Sequence, residues 1–398
     1  MAELLSIEEA QRLVLERTQP LAMERVALEA AAGRVLAETA RSVVDLPPFA
    51  SSAMDGFAVR SADTPGTLPV VARVAAGRPA PRGLEPGEAM GIATGGVVPA
   101  GADAVIPFEY VYERDNTVEI SEAVAPGANV RPQGGDLRAA DEVVGAGTRL
   151  GPAQLGALAA AGVAEVTCGS APRAAVLATG TELRRPGESL GPGEVYEANG
   201  LILESQLRSA GASVERLGAV ADDEDAHREA LARGLEHDVL VTSGGVSVGP
   251  HDLVRAIESE LGVDEVFWRV AVKPGKPVSF GVRGRTLVFG LPGNPVSSLV
   301  GFELFVRPAV LALQGHADPL PPFEPGTLAA ALRRSPARDQ LVRARRRTSE
   351  AASVELEPLT GQESHMIARA AAADALVLVP RGEGELEPGS VVRFLRLG

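Results

Sequence analysis

DVLVTSGGVSVGPHD, residues 238–252, decides the fold. An apolar, β-branched run closes on Ser243, Gly244 and Gly245 and then enters a helix pattern, LVRAIESEL (253–261), so it reads as strand, glycine turn, helix. Working outward, AAVLA (174–178), ASVERLGAV (212–220) and EVFWRVAV (265–272) read as further strands, with helices over 199–209, 224–235 and 253–261 between them. A hairpin, PVSFGVRGRTLVFG (277–290), and a long helix from Val296 to about Leu313 complete the pattern. Such alternation predicts a doubly wound α/β domain over 171–316 with helices on both faces. TGTEL, ADDED, SGGVSVG, KPGKP and LPGNP each follow a strand, which gathers them at the carboxyl edge of the sheet, where such folds bind ligands.

The flanking sequence has a different texture. Ser6 and Glu9 stand in capping-box spacing before an amphipathic run, and the apolar stretch VALEAAAGRVLAE (26–38) follows, so 1–41 is expected to be helical. Residues 42–135 carry short β-rich runs punctuated by Gly and Pro. Residues 136–170 supply another helix and strand, and they make the β-rich domain an insertion if they rejoin 1–41 in one helical N-terminal domain. HADPLPPFEPG (316–326) reads as a linker, and the short strands beyond it predict a barrel-like C-terminal β domain over 317–398.

Composition narrows the function. A chain of 398 residues exceeds one core, at about 150 residues per domain. Its 45% hydrophobic and 23% charged residues are those of a folded globular protein. A formal net charge of −14 repels polyanions, which argues against nucleic acid as a partner. The single cysteine, Cys168, rules out an internal disulfide framework. The acidic N-terminus lacks a leader pattern, and no unbroken apolar run reaches the roughly 18–20 residues of a membrane span, so a cytoplasmic protein without a membrane partner is expected.

Of 38 basic residues only Lys273 and Lys276 are lysines, three apart in VAVKPGKPVSF. Two compact ammonium groups among prolines and glycines suit the grip of a phosphate or oxyanion. Ser243, Gly244 and Gly245 can bring backbone N–H groups to an oxyanion, with Ser247 and Asp252 at the helix entry; a tight turn capped by Asp252 explains the same residues. LPGNPVSS (291–298) repeats the arrangement with Pro292, Gly293 and Asn294, and a Pro-Gly turn feeding a buried helix is its plainer explanation. Glu182, Asp55, Asp222 and Asp223 add carboxylates, each singly a cap or a solvated charge, that together suit magnesium bound with water and substrate phosphate. No GK[ST] follows a glycine loop and GxGxxG does not occur, which leaves P-loop and dinucleotide readings unsupported.

SSAMDGFAV (51–59), IATGGVVPAGADAVIP (92–107), LATGTEL (177–183), SGGVSVG (243–249), KPGKP (273–277), GLPGNPVS (290–297) and GQESHM (361–366) together resemble the molybdopterin molybdenumtransferase family, the type that includes MoeA and the gephyrin E domain. The resemblance covers essentially the whole chain in the same order. It implies a four-domain, elongated homodimer that inserts molybdate into adenylylated molybdopterin with Mg2+ and releases AMP. Molybdopterin adenylyltransferase would act upstream, and apo-molybdoenzymes or their chaperones downstream.

Carried onto this sequence, the resemblance assigns Ser247 and Asp252 to cleavage of the adenylate and its magnesium, with Glu182 or Asp223 as further ligands. Lys273, Lys276, Arg343 and Ser364 match an anion pocket suited to molybdate, with the three neighbouring arginines of DQLVRARRR as alternatives to Arg343, and Pro277 is carried over as a substrate-binding residue. Asp55 and Thr94 match residues that the family's dimer sets opposite Glu182 and Asp223 of the other subunit. Phe57, Gly135 and Pro250 depart from the pattern, and Pro250 removes one possible metal ligand. A molybdopterin adenylyltransferase and a dimeric scaffold are the rival readings.

Overall fold

The computed structural model describes residues 4–220, 223–245, 253–348 and 354–397. Its centre is one six-stranded sheet. β1 (Arg173–Thr179), β2 (Ser213–Val220), β3 (Val239–Ser243), β4 (Asp264–Trp268), β5 (Ser279–Arg283) and β6 (Thr286–Leu291) lie in the order β2-β1-β3-β6-β5-β4. The first four in that order run parallel, β5 runs antiparallel to β6, and β4, antiparallel to β5, returns to the direction of the first four. β3 shows why this sequence makes a central strand. Val239 and Val241 join one core with the helix Asn199–Ser209, while Leu240 joins another with the helices Glu224–Gly234 and Leu253–Glu260. A strand buried on both faces needs the continuous apolar run seen in the sequence.

The helical run after β6 spans Pro295–Leu313 and widens into a π turn at Phe302–Val306. Pro308 explains the widening: it has no N–H for the Leu304 carbonyl, and its ring would press on that oxygen. The Gln11 side-chain amide, from the N-terminal helix Ile7–Arg17, donates to the Leu304 carbonyl instead at 3.0 Å, in a buried position. Replacing Gln11 by leucine strands that carbonyl and should cost about 1–3 kcal/mol; denaturant unfolding checks it, and an unchanged midpoint would refute the role. The run Pro295–Leu313 has a mean hydropathy of 1.6, long and apolar enough to cross a membrane by composition. Counting unbroken apolar residues passed over it because Glu303 and Arg307 interrupt the run. It is a core helix, mostly buried inside the protein.

The helix Ile7–Arg17 forms with the expected capping box and packs its Ile7, Ala10 and Val14 face into the core of the α/β domain. The second stretch expected to be helical, 26–38, instead holds the end of the strand Met23–Ala27, paired with Glu165–Gly169, then a single 3-10 turn over Leu28–Ala30 and isolated bridges at Val35 and Leu36. Strand pairing and Gly33 at φ +73° override the helix preference of its alanines. Residues 51–131 include a six-stranded sheet in which Gly56–Val59 lies between Ala104–Pro107 and Ala89–Ile92. Phe57 is fully buried and meets Phe108 edge to face at 5.1 Å, so the ring that departs from the family pattern packs without a hydroxyl.

At the C-terminus, Glu324–Leu328, Asp339–Thr348, Val354–Pro358, Ala375–Val379 and Val391–Arg396 close into a five-stranded barrel. A short strand from the α/β domain, Val272–Lys273, adds in parallel to its Asp339–Gln340 edge.

Candidate functional site

Thr179, Ser243 and Leu291 end three adjacent parallel strands, and the register pairs Thr179 with Val220 and Ser243 with Leu291. The loops after them therefore leave the sheet side by side. Ser279, just past KPGKP, pairs with Gly290 and sets that loop at the same edge.

The Ser243–Gly245 turn is built tightly. Gly244 has φ +95°, and a Cβ there would lie 2.7 Å from both the carbonyl and the hydroxyl oxygen of Thr179. The Gly244 N–H donates to the Leu291 carbonyl at 3.0 Å. Ser243 is buried and exchanges hydrogen bonds with Asn199, the Pro292 carbonyl and Ser298. Both residues were expected to face an oxyanion; their polar groups instead tie β3 to β6. Ser247 and Asp252, the other expected members of this loop, lie outside the described residues, as does Asp222.

Asn199 is the site residue that sequence reasoning missed. Its Nδ2 donates to Ser243 Oγ at 2.7 Å and to the Gly293 carbonyl at 2.7 Å, which joins the two glycine loops. Its buried Oδ1 has no partner among the described residues. In sequence it is one asparagine at a helix start, and both of its partners are remote in the chain.

Gly293 and Asn294 are exposed at the edge, while Pro292 is buried. Lys273 is exposed and Lys276 and Pro277 are half-buried; among the described residues neither lysine ammonium has a hydrogen-bonding or ion-pair partner. The Lys273–Pro274 peptide is cis.

Glu182 and Asp223 both come three residues after the paired Thr179 and Val220, so the two carboxylates leave neighbouring strand ends. Asp223 caps its helix, with Oδ1 accepting the Ala226 N–H at 2.9 Å. Among the described residues, no three His, Cys, Asp or Glu side chains gather to hold a metal ion. Beside this edge, Arg184, Arg185, Glu197 and Arg216 line a cavity of about 640 Å³.

On the β-rich domain, Asp55 Oδ1 accepts the Thr94 N–H at 2.8 Å, so these two residues of separate motifs do meet. Both are exposed, as is Met54, the chain neighbour of Asp55.

Arg343 differs most from the expectation of an anion contact. It is 2% exposed, and its guanidinium donates to the carbonyls of Gly361, Glu363 and Met366. Burial draws its pKa below the ordinary guanidinium value, against the opposing pull of Glu363. Ser364, in the loop so held, accepts the Val296 N–H through its carbonyl at 3.1 Å and thereby joins the barrel to LPGNP.

Known proteins match this arrangement over its whole length. Family models described as the MoeA N-terminal region (domain I and II), a probable molybdopterin binding domain and the MoeA C-terminal region (domain IV) match residues 5–162, 175–312 and 325–397. The Haemophilus influenzae molybdopterin molybdenumtransferase is 34% identical over 98% of each chain. The Mycobacterium tuberculosis molybdopterin molybdenumtransferase 2 is 36% identical over 97% of this chain and 98% of its own. Two solved structures of the molybdopterin biosynthesis MoeA protein from Pyrococcus horikoshii are similar in fold. One is 31% identical with a TM-score of 0.78 and covers 99% of both chains; the other is 27% identical with a TM-score of 0.83 and covers 99% of this chain and all of its own. Sequence and fold agree, and the chain belongs to the molybdopterin molybdenumtransferase family, enzymes of molybdenum cofactor biosynthesis.

Proposed function

We propose that this chain inserts molybdate into adenylylated molybdopterin in a magnesium-dependent reaction that releases AMP. The observation that carries the reading is the placement of both lysines of the chain, side chains unpaired among the described residues, at the sheet edge that also presents the two glycine loops. Molybdate and the pterin phosphate are both anions. Lys273 and Lys276 hold them at a separation where they would otherwise repel each other.

Glu182 and Asp223, at neighbouring strand ends, fit magnesium, which takes one or two carboxylates and keeps water and substrate phosphate for its other positions. When bound, the ion supplies charge neutralisation on the phosphoanhydride. Asp252, the third expected ligand, lies outside the described residues. We further propose a homodimer in which the exposed Asp55 and Thr94 face Glu182 and Asp223 of a second copy. The exposure of Asp55, Thr94 and the neighbouring Met54 supports that reading.

The test is AMP release from adenylylated molybdopterin and magnesium, with and without molybdate. Release that depends on molybdate, with a product that activates an apo-molybdoenzyme, is the expected result. Consumption of ATP with molybdopterin would move the assignment to an adenylyltransferase. Tight binding of the adenylate without release would move it to a scaffold.

A further inference from the structure

We infer, on the molybdate-insertion reading above, that Arg255, Trp268 and Arg269 form a positioning stack, which sets the base of the KPGKP loop against the helix that follows the SGGVSVGPHD stretch.

Trp268, the only tryptophan of the chain, ends β4 at the carboxyl edge and pairs with Ser279 of β5. The Arg269 guanidinium lies 3.7 Å and the Arg255 guanidinium 4.1 Å from the centre of its ring. Two guanidinium groups so close to one ring do not fit on the same face, so the indole lies between them, each cation drawn to the π-face it covers. Arg255 comes from the helix Leu253–Glu260, and Glu265 of β4 accepts its Nε and Nη2 at 2.8 and 2.6 Å. Arg269 has no hydrogen-bonding or ion-pair partner for its side chain among the described residues; the ring is what holds it.

The backbone is bent to make this stack. Successive side chains of a strand point to opposite faces, which would part Arg269 from Trp268. Arg269 instead has φ +82°, in the left-handed region, and its side chain returns over the ring. Of the other four non-glycine residues at positive φ among the described residues, three are Asp or Asn, which tolerate that region; arginine has no such local compensation. Two like charges beside one ring add repulsion. What the arrangement serves is visible in its place. The Arg269 N–H donates to the Val278 carbonyl at 2.9 Å and the Val270 N–H to the Lys276 carbonyl at 3.0 Å, so the loop that carries both lysines leaves and returns at Arg269. The backbone of Arg269 aims that loop, and the stack ties its aim to Arg255, three residues after Asp252 in sequence.

Full-length Arg269→Gly, Arg269→Lys and Trp268→Leu test this, by AMP release over a range of molybdate, thermal melts, Trp268 emission and amide hydrogen exchange at Val270 and Val278. Glycine takes φ +82° without strain. Arg269→Gly should therefore melt within about 4 °C of wild type, while kcat falls about 10- to 100-fold and saturating molybdate restores nothing. Its Trp268 emission should move to longer wavelength as the ring loses its cover. Lysine keeps a cation for the ring, so Arg269→Lys should retain kcat within about threefold. Trp268→Leu should match Arg269→Gly in kcat, and in both variants exchange at Val270 and Val278 should quicken.

Wild-type kcat in Arg269→Gly would overturn the inference. A loss in Arg269→Lys that more molybdate cures would overturn it too, because Arg269 would then be a direct anion ligand. So would a melting temperature that falls along with turnover in Arg269→Gly, which would make the stack a prop of the fold alone. Should Trp268→Leu fail to fold, the two Arg269 variants carry the test. If the wild-type chain shows no molybdate-dependent release, the reaction reading fails separately; exchange then decides the stack, and unchanged exchange at Val270 and Val278 in Trp268→Leu and Arg269→Gly refutes it.

Discussion

Replacing Lys276 by alanine lowers molybdate-dependent turnover by about 100- to 1,000-fold, the range seen when one preorganised charge-stabilising group is removed, and leaves the fold intact. The structure separates the two effects. The Lys276 carbonyl accepts the N–H groups of both Val270 and Val278 at 3.0 Å, so the backbone of the loop is held by bonds that the side chain does not touch. The half-buried ammonium, unpaired among the described residues, is left for substrate. Lys276→Arg should not restore the rate, since a planar fork replaces a compact charge between Gly275 and Pro277. Steady-state AMP release with a thermal melt checks this, and full turnover in Lys276→Ala would remove the lysine from the anion site.

The largest stability effect is expected at Gly56, beside Asp55. A Cβ at Gly56 would stand 1.9 Å from the Ile106 carbonyl oxygen and 2.9 Å from the Pro107 Cα. These are backbone atoms of the paired strand Ala104–Pro107, so no side chain can swing aside. Gly56→Ala must part the two strands, at a cost of about 3 kcal/mol or more. For a unit of this size that is a fall in melting temperature of roughly 10–20 °C. Gly77→Ala is the control: its φ is +74° with nothing within 4 Å, so it meets backbone strain alone, about 1–2 kcal/mol. If the two variants melt together, close packing at Gly56 is not what the glycine serves.

The α/β domain was legible because its signals are local. Strand β3 reads as a buried strand from five consecutive residues, and the loops reach one edge because parallel strands all end there. Lys273 and Lys276 stood out by composition alone. What sequence could not show is where polar groups find partners across the fold. Ser243 and Gly244 look like oxyanion donors until Asn199 and Leu291 occupy them. Nor could sequence show that the carbonyls of the 361–366 loop wrap the Arg343 guanidinium. Likewise Met23–Ala27 is a strand because Glu165–Gly169, far along the chain, offers it a ladder.

The pairing of Val272–Lys273 with Asp339–Gln340 bears on how this chain can be cut and recombined. A fragment ending in the linker at 316–326 would retain Lys273 but lose the strand against which its backbone is registered. A chimera that borrows a barrel from a relative inherits that relative's edge strand, and with it the registration of its own first lysine. Modular as the sequence looks, the seam that matters for recombination runs through the strand that opens the KPGKP loop and not through the proline-rich linker.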